Sequence, residues 1–277
     1  MPPSNNASMN AAYRALSVAG LFVAGCVSIP TTGTHRTASG VVAYSLTGAG
    51  QPTVVLQSGL GDGRAPWAAV VSRLSTTHAV FSYDRPGYGQ SSATAEARDP
   101  CSVAAELHGV LGAAGVAPPY VLVGHSLGGL YQYAFARLYP TEVAALVLLD
   151  PTHPTHWRRM QADTPAMAGV VSGLRATVFS AAMRREFDDQ ERCIDRLSSL
   201  PPVSKPARLL TRTRFELVEK GAFENMVHRL ERDWVALTGA SRVEPIDGAG
   251  HYLHKDQPAR VVAAIEAVAA PLPKAAR

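Results

Sequence analysis

Apolar positions along this chain fall into short runs separated by longer stretches with helical spacing. The runs are aliphatic and β-branched: GVVAYSL (40–46), TVVLQ (53–57), HAVFSYD (78–84), YVLVG (120–124), AALVLLD (144–150), ARLLTR (207–212) and SRVEPID (241–247). Several are apolar on successive residues, as parallel strands covered on both faces tend to be. Between them RAPWAAVVSRLS, CSVAAELHGVLGAA, LYQYAFARLYP, FENMVHRLERDWVALT and PARVVAAIEAVAA read as helices. This alternation predicts a doubly wound, mostly parallel α/β sheet.

One segment breaks the rhythm. From residue 151 to 206 there is no strand-like run, only helix-like pieces such as PAMAGVVSGLRATVFSAAMRREF and DDQERCIDRLSSL before the punctuation PPVSKP. This is read as a helical cap inserted over the carboxyl edge of the sheet, where ligands of open α/β folds sit. The apolar residues Met160, Met167, Val170, Leu174, Val178 and Phe179 either line a pocket or form the cap's own core; periodicity does not choose between these.

The amino-terminal segment follows a different logic. In YRALSVAGLFVAGC (13–26) one arginine precedes an unbroken apolar and small-residue run, which is the anatomy of a signal peptide. The run is too short for a permanent span, which needs about 20 apolar residues. Its end, Val23-Ala24-Gly25-Cys26, resembles the bacterial lipobox, so residues 1–25 are expected to be cleaved and Cys26 lipidated. VSIPTTGTHRTASG, rich in Thr, Ser, Gly and Pro, then reads as a flexible tether over 26–39, followed by the α/β domain over 40–277. The chain is thereby expected in the bacterial cell envelope, lipid-anchored or periplasmic.

Charge excludes more than it indicates. The 26 Lys and Arg against 22 Asp and Glu leave a formal +4, and the basic residues are mixed with acids, as in RREFDDQERCIDR. No basic stripe interleaved with aromatics argues for nucleic acid. Beyond Cys26 the thiols are Cys101 and Cys193, expected here to be unpaired, although export would permit a bond. Oligomeric state is not legible.

Candidate chemistry centres on Gly124-His125-Ser126-Leu127-Gly128, which fits G-x-S-x-G between a buried strand and a helix. A sharp strand-to-helix turn needs small neighbours, supplied by Gly124 and Gly128, and it stands the Ser126 hydroxyl at a helix N-terminus. A serine needs a base. His251, in the loop IDGAGHYLHKDQP after the last strand, is the first candidate, and His254 is its competitor. A metal pair from these two histidines lacks a companion carboxylate or cysteine set. For the acid, Asp150 closes the strand after the nucleophile helix, whereas Glu216 is the only carboxylate available just beyond ARLLTR; Asp150 is the first choice. An oxyanion would take one N–H from Leu127 and one from the loop SGLGDGRAPW, where Leu60 holds the donor position.

On YDRPGYGQS (83–91), GHSLGG (124–129) and GAGHYLHKDQP (248–258) the chain resembles the α/β-hydrolase family over residues 40–270. The resemblance implies the α/β-hydrolase fold and a serine esterase or lipase-like activity on carboxylic esters, with no metal or organic cofactor. It also gives Asp84 and Arg85 a loop-bracing role. Two departures stand out: Ser58-Gly59 replaces the usual His-Gly of the oxyanion loop, and the acid expected after the cap strand is absent. The alternatives carried are a lyase on the same triad, similar to hydroxynitrile lyases, and a ligand-binding member without catalysis.

Overall fold

The computed structural model describes residues 28–269; the expected signal peptide and the Cys26 lipidation site lie outside them. The first five elements are strands β1 (Gly33–Thr37), β2 (Gly40–Thr47) and β3 (Thr53–Gln57), helix α1 (Ala68–Leu74) and strand β4 (Val80–Tyr83). Helix α2 (Pro100–Ala113), strand β5 (Tyr120–His125), helix α3 (Leu127–Leu138) and strand β6 (Val143–Leu149) follow. Four helices then occur with no strand between them: α4 (His156–Asp163), α5 (Pro165–Thr177), α6 (Ala181–Asp189) and α7 (Ile194–Ser199). The chain returns to the sheet as β7 (Ala207–Arg212), α8 (Ala222–Thr238), β8 (Val243–Ile246), α9 (Leu253–Asp256) and α10 (Pro258–Glu266).

The strands form one eight-stranded sheet in the order β1-β2-β4-β3-β5-β6-β7-β8. β1 and β2 are antiparallel to their neighbours, and every pairing from β4 to β8 is parallel. The unbroken apolar runs have the expected cause, because both faces are covered. Val54, Leu56, Val121, Val123, Val147 and Leu149 pack with Trp67, Val70 and Leu74 at α1 and with Val261 and Ile265 on α10. Val55, Leu122, Leu146 and Leu148 pack the other way, with Leu107 on α2, Leu130 and Phe135 on α3 and Trp234 on α8. Each strand thus sends alternate side chains into two separate apolar layers.

The segment read as a tether is ordered where it is described. Gly33–Thr37 is β1, in register with β2 from Gly33 opposite Tyr44 to Thr37 opposite Gly40, and Ile29 is buried. An edge strand with one face toward solvent can be polar, so THRT carries no apolar signature although threonine suits a pleated strand.

The second correction concerns the thiols. Cys101 and Cys193 form a disulfide, with Cα atoms 6.2 Å apart, so the expectation of two unpaired thiols is overturned. The bond ties the first turn of α2 to the loop before α7. The physical reason lies in the fold: Asp99 caps α2 by accepting from the Cys101 and Ser102 amides, which fixes Cys101 under the cap loop. Cys193 meets it there in a left-handed conformation, φ +59°.

Polar contacts hold the cap to the sheet domain as well. Arg85, on the loop after β4, makes a bidentate pair with Glu186 of α6, and both side chains are almost wholly buried. The Arg98 amide donates to Asp189 at the end of the same helix.

Replacing Cys101 and Cys193 together by serine removes a cross-link closing a 92-residue separation. Such bonds contribute ~2–4 kcal/mol, and at this chain size the melting temperature is expected to fall on the order of 5–15 °C. Calorimetry of the oxidised wild type beside the double variant checks this, and an unchanged melting temperature contradicts it.

Candidate active site

Ser126 sits between the last residue of β5 and the first of α3 with φ +53° and ψ −124°, a backbone conformation that an L-residue holds only when its surroundings enforce it. The enforcement is visible on both sides. A Cβ on Gly124 would fall 2.4 Å from the Gly128 carbonyl oxygen, and one on Gly128 would fall 2.4 Å from the carbonyl oxygens of both Gln57 and Ser58. Glycine is therefore required at both positions by close packing. Backbone bonds continue the sheet past the strand ends: the Ser126 amide donates to Leu149 O at 3.0 Å, and the Thr152 amide donates to Ser126 O at 2.9 Å.

That continuation brings Asp150 beside the serine turn. Asp150 also has a positive φ, +44°, and its carboxylate is buried. Its Oδ2 accepts a hydrogen bond from His251 Nδ1 at 2.5 Å. Ser126, Asp150 and His251 all line one cavity of about 230 Å³, beneath the cap and against α8. With Nδ1 carrying the proton shared with Asp150, Nε2 is the nitrogen of His251 left to act as a base.

Glu216, the alternative acid, is exposed, and its backbone amide donates to the Glu219 side chain at the start of a 3-10 turn over Leu217–Glu219. The pairing of His251 with Asp150 leaves Glu216 no part in this constellation. His254 is also removed from it: it is buried, its ring stacks on Trp67 at 4.2 Å, and neither ring nitrogen has a partner among the described residues. Burial, followed by the nearby His251, lowers its pKa to about 3, so it stays neutral.

Leu127 opens α3, where backbone amides lack intrahelical acceptors. Leu60 follows Gly59, which lies directly against the serine: a Cβ on Gly59 would be 3.0 Å from Ser126 Cβ. The loop that carries Leu60 is braced by Arg85, whose Nη1 and Nη2 donate to Ser58 O and Gly59 O at 2.7 and 2.8 Å. Asp84 braces the neighbouring turn by accepting from the Arg64 and Gln90 amides. Both thus act as the resemblance implied. Of the six cap residues considered as lining, none faces this cavity; Met160 packs into a small core with Phe215 and Met226, and Val170, Leu174 and Val178 are exposed.

Three contributors were not identified in the sequence. His125 donates from Nε2 to the His251 carbonyl at 2.8 Å and so positions that loop; burial, then the neighbouring histidines, hold its pKa well below the usual value. Arg212 ends β7, near where the family acid was expected, and its Nε lies 3.1 Å from Asp150 Oδ2 as an ion pair without hydrogen-bond alignment. Its Nη1 donates to Glu219 at 3.0 Å. Glu231 lines the cavity from the inward face of α8. The only advance signal for Glu231 was its spacing, four residues after Val227 and three before Trp234 on an apolar helix face.

The Asp150 carboxyl shows what these contacts do. Burial alone would raise its pKa, yet the His251 hydrogen bond and the Arg212 charge outweigh burial and hold it below the usual carboxylate range.

Comparison with known proteins bears on the fold that carries this geometry. A family model for the alpha/beta hydrolase fold matches residues 52–240. The uncharacterized protein YqjL of Bacillus subtilis (strain 168) is 27% identical over 220 residues, covering 74% of this chain and 79% of that protein. Escherichia coli O9:H4 (strain HS) RutD, provisionally named a carbamate hydrolase, is 40% identical over 114 residues, and this chain spans only 41% of its length. Among solved structures, an esterase from Thermogutta terrifontis superposes with a TM-score of 0.61 at 21% identity, covering 85% of this chain and 97% of that one. The epoxide hydrolase CorEH superposes with a TM-score of 0.62 at 17% identity, covering 87% and 99%. At such identities these structures bear on the fold alone. The chain belongs to the alpha/beta hydrolase family.

Arg212→Met strips the buried Asp150 of its nearest guanidinium and is expected to cost about 3–5 kcal/mol at pH 7, as breaking buried pairs does. The sign with pH follows from the depressed Asp150 pKa. The contribution is fully present above the unfolded carboxylate value, about 3.9, and fades as pH falls through the folded one. Without Arg212 the carboxyl titrates higher, so the wild-type advantage narrows on acidification. Urea unfolding of both proteins from pH 7 to pH 2.5 checks this; a gap that stays constant or widens contradicts it.

Proposed function

We propose that this hydrolase cleaves carboxylic esters through an acyl-enzyme, with Ser126 as nucleophile, His251 as base and acid, and Asp150 as the orienting carboxylate. The observation carrying the proposal is the strained Ser126 turn opening onto the same cavity as a histidine whose Nδ1 is bound by a buried aspartate. In this reading Ser126 Oγ attacks the acyl carbon as His251 Nε2 takes the hydroxyl proton. The resulting oxyanion is held by the Leu60 and Leu127 amides. Collapse expels the alcohol, which receives the proton from His251, and water repeats the sequence to release the acid. No step calls for a metal or an organic cofactor.

The cavity, at about 230 Å³, falls below the ~300–1,000 Å³ typical of drug-sized ligand sites, which favours short acyl or alcohol groups. The name of RutD makes a carbamate a useful second acyl group to test.

Hydrolysis of a p-nitrophenyl ester series from acetate to decanoate by the fragment starting at Val27 is expected to be fastest at the short end and to vanish in Ser126→Ala. Asp150→Asn is expected to lose on the order of 10³–10⁴-fold in kcat with its fold retained, because the imidazole tautomer is no longer held. Near-normal turnover by Asp150→Asn overturns the acid assignment. No ester turnover and no acyl-enzyme, with Ser126-dependent release of aldehyde from a cyanohydrin, moves the chain to the lyase reading. No turnover together with no labelling of Ser126 by a fluorophosphonate moves it to the ligand-binding reading.

We further propose that the chain is exported and anchored through a lipid on Cys26. The signal-like run ending at Cys26 supports this, and so does the Cys101–Cys193 disulfide, since such bonds persist in oxidising compartments. Growth of a bacterial host on radiolabelled palmitate is expected to label the full chain and not Cys26→Ser; a variant that is still labelled refutes the anchor.

A further inference from the structure

Helix α6 of the cap lies directly on the loop that carries Leu60 and on the loop after β4. A Cβ on Gly61 would be 3.3 Å from Met183 Cε, and one on Gly87 would collide with the Ala182 side chain. Glu186, one turn further along the same helix, is fully buried. Its Oε1 accepts from Arg85 Nε at 2.7 Å, and its Oε2 accepts from Arg85 Nη2 at 3.0 Å and from the Tyr88 hydroxyl at 2.8 Å. A second guanidinium, Arg98, lies 3.9 Å from Oε1, but its own hydrogen bonds go to Glu106.

The fork that Glu186 grips is the one that holds the serine loop. Arg85 Nη1 and Nη2 donate to Ser58 O and Gly59 O at 2.7 and 2.8 Å. Gly59 O also accepts from the Asp62 amide at 3.3 Å, which closes a tight turn in which Gly61 has φ +87°. The Gly59–Leu60 peptide is trans, and in a planar trans peptide the N–H points opposite to the C=O. Holding Gly59 O toward Arg85 therefore turns the Leu60 N–H away from it, and that N–H has no backbone acceptor among the described residues. The same stretch abuts the nucleophile, since a Cβ on Gly59 would be 3.0 Å from Ser126 Cβ. A guanidinium is a rigid planar fork, so the grip of two carboxylate oxygens on one side fixes the direction of the donors on the other.

We propose that Glu186 is a positioning residue for the hydrolysis: from the cap it fixes the plane of Arg85, and through Arg85 the direction of the Leu60 amide, so that the second oxyanion donor is in place only while α6 is seated. The proposal rests on the ester-hydrolase reading for what the Leu60 amide does, and on the Arg85 contacts for how that amide is held. Glu186 itself touches neither substrate nor the reacting atoms. Because the oxyanion develops only on the way to the tetrahedral intermediate, a misdirected Leu60 amide slows the chemistry and leaves ground-state binding alone.

Two variants test it, each followed by kinetics, by binding and by the resonance of the amide concerned. Glu186→Gln keeps the shape and gives up the charge and one acceptor oxygen, whereas Tyr88→Phe leaves the Arg85–Glu186 pair intact and removes only the third hydrogen bond. For p-nitrophenyl butanoate, kcat/KM is expected to fall about 10- to 100-fold in Glu186→Gln, less than the ~10²–10³-fold of deleting an oxyanion donor outright, and by a few-fold in Tyr88→Phe. The Kd of the same ester for Ser126→Ala is expected to stay unchanged when Glu186→Gln is added. In ¹⁵N-leucine-labelled protein the Leu60 amide resonance is expected to shift in both variants, further in Glu186→Gln, while that of Leu127, at the start of α3, stays in place.

A Leu60 resonance unmoved in Glu186→Gln overturns the proposal. So do Leu60 and Leu127 shifting alike, an unchanged kcat/KM, or a loss carried by Kd, since a merely structural role would give these. If Glu186→Gln does not fold, Tyr88→Phe is read by the same criteria and decides. Wild-type protein that hydrolyses no ester overturns the esterase reading, and the selective shift of Leu60 then decides the positioning by itself.

Discussion

The register between β5 and β6 is the constraint on which the site depends. His125 lies opposite Leu149, and the ladder does not stop there: Ser126 and Thr152 exchange backbone hydrogen bonds with the neighbouring strand end beyond the last paired residues. Two consecutive strand ends therefore leave the sheet side by side. Each does so through a residue with positive φ, Ser126 and Asp150. A shift by one residue would turn every side chain of β5 to the opposite layer, so burial on both faces protects the register and, with it, the proximity of serine and carboxylate.

The carboxylate shows how a buried charge is retained. Asp150 sits where desolvation disfavours ionisation, and it is held ionised by the His251 hydrogen bond together with Arg212. Arg212 in turn spans Asp150 and Glu219 and lies over the Phe215 ring at 4.4 Å, so its guanidinium is fixed by a carboxylate on either side and an aromatic face. The histidine is located by a different route. Its side chain is bound by Asp150 and its main chain by His125, so two residues adjacent to the strand ends determine the position of a loop more than 100 residues later.

The cap and the serine loop share a single buried cation. Arg85 binds the Ser58 and Gly59 carbonyls on one side and Glu186 of α6 on the other, while Tyr88 donates to the same glutamate at 2.8 Å. The loop that supplies Leu60 is thus mechanically coupled to the cap, and the disulfide fixes the far end of the same insertion. Breaking such a buried pair from one side leaves an uncompensated charge in the interior. This ties the cap's seat to the geometry of the serine turn.

What the sequence determined by itself is what depends on neighbours along the chain. The strands buried on both faces follow from successive apolar residues, the Ser126 turn from glycines at −2 and +2, and the histidine loop from its place after the last strand. The edge strand β1 escaped because a polar, half-exposed strand carries no apolar signal. Other features depend on which distant segments the sheet order brings together: the pairing of His251 with Asp150, the ion pair from Arg212, the bracing of His251 by His125, and the joining of Cys101 to Cys193. The same holds for Glu231, whose spacing marked a carboxylate on an apolar helix face while only the packing of α8 over Ser126 gave that face a cavity. Local chemistry selects turns and periods over a few residues, whereas pairings across 90 or more residues are decided by strand order and layer packing, which no single stretch of chain encodes.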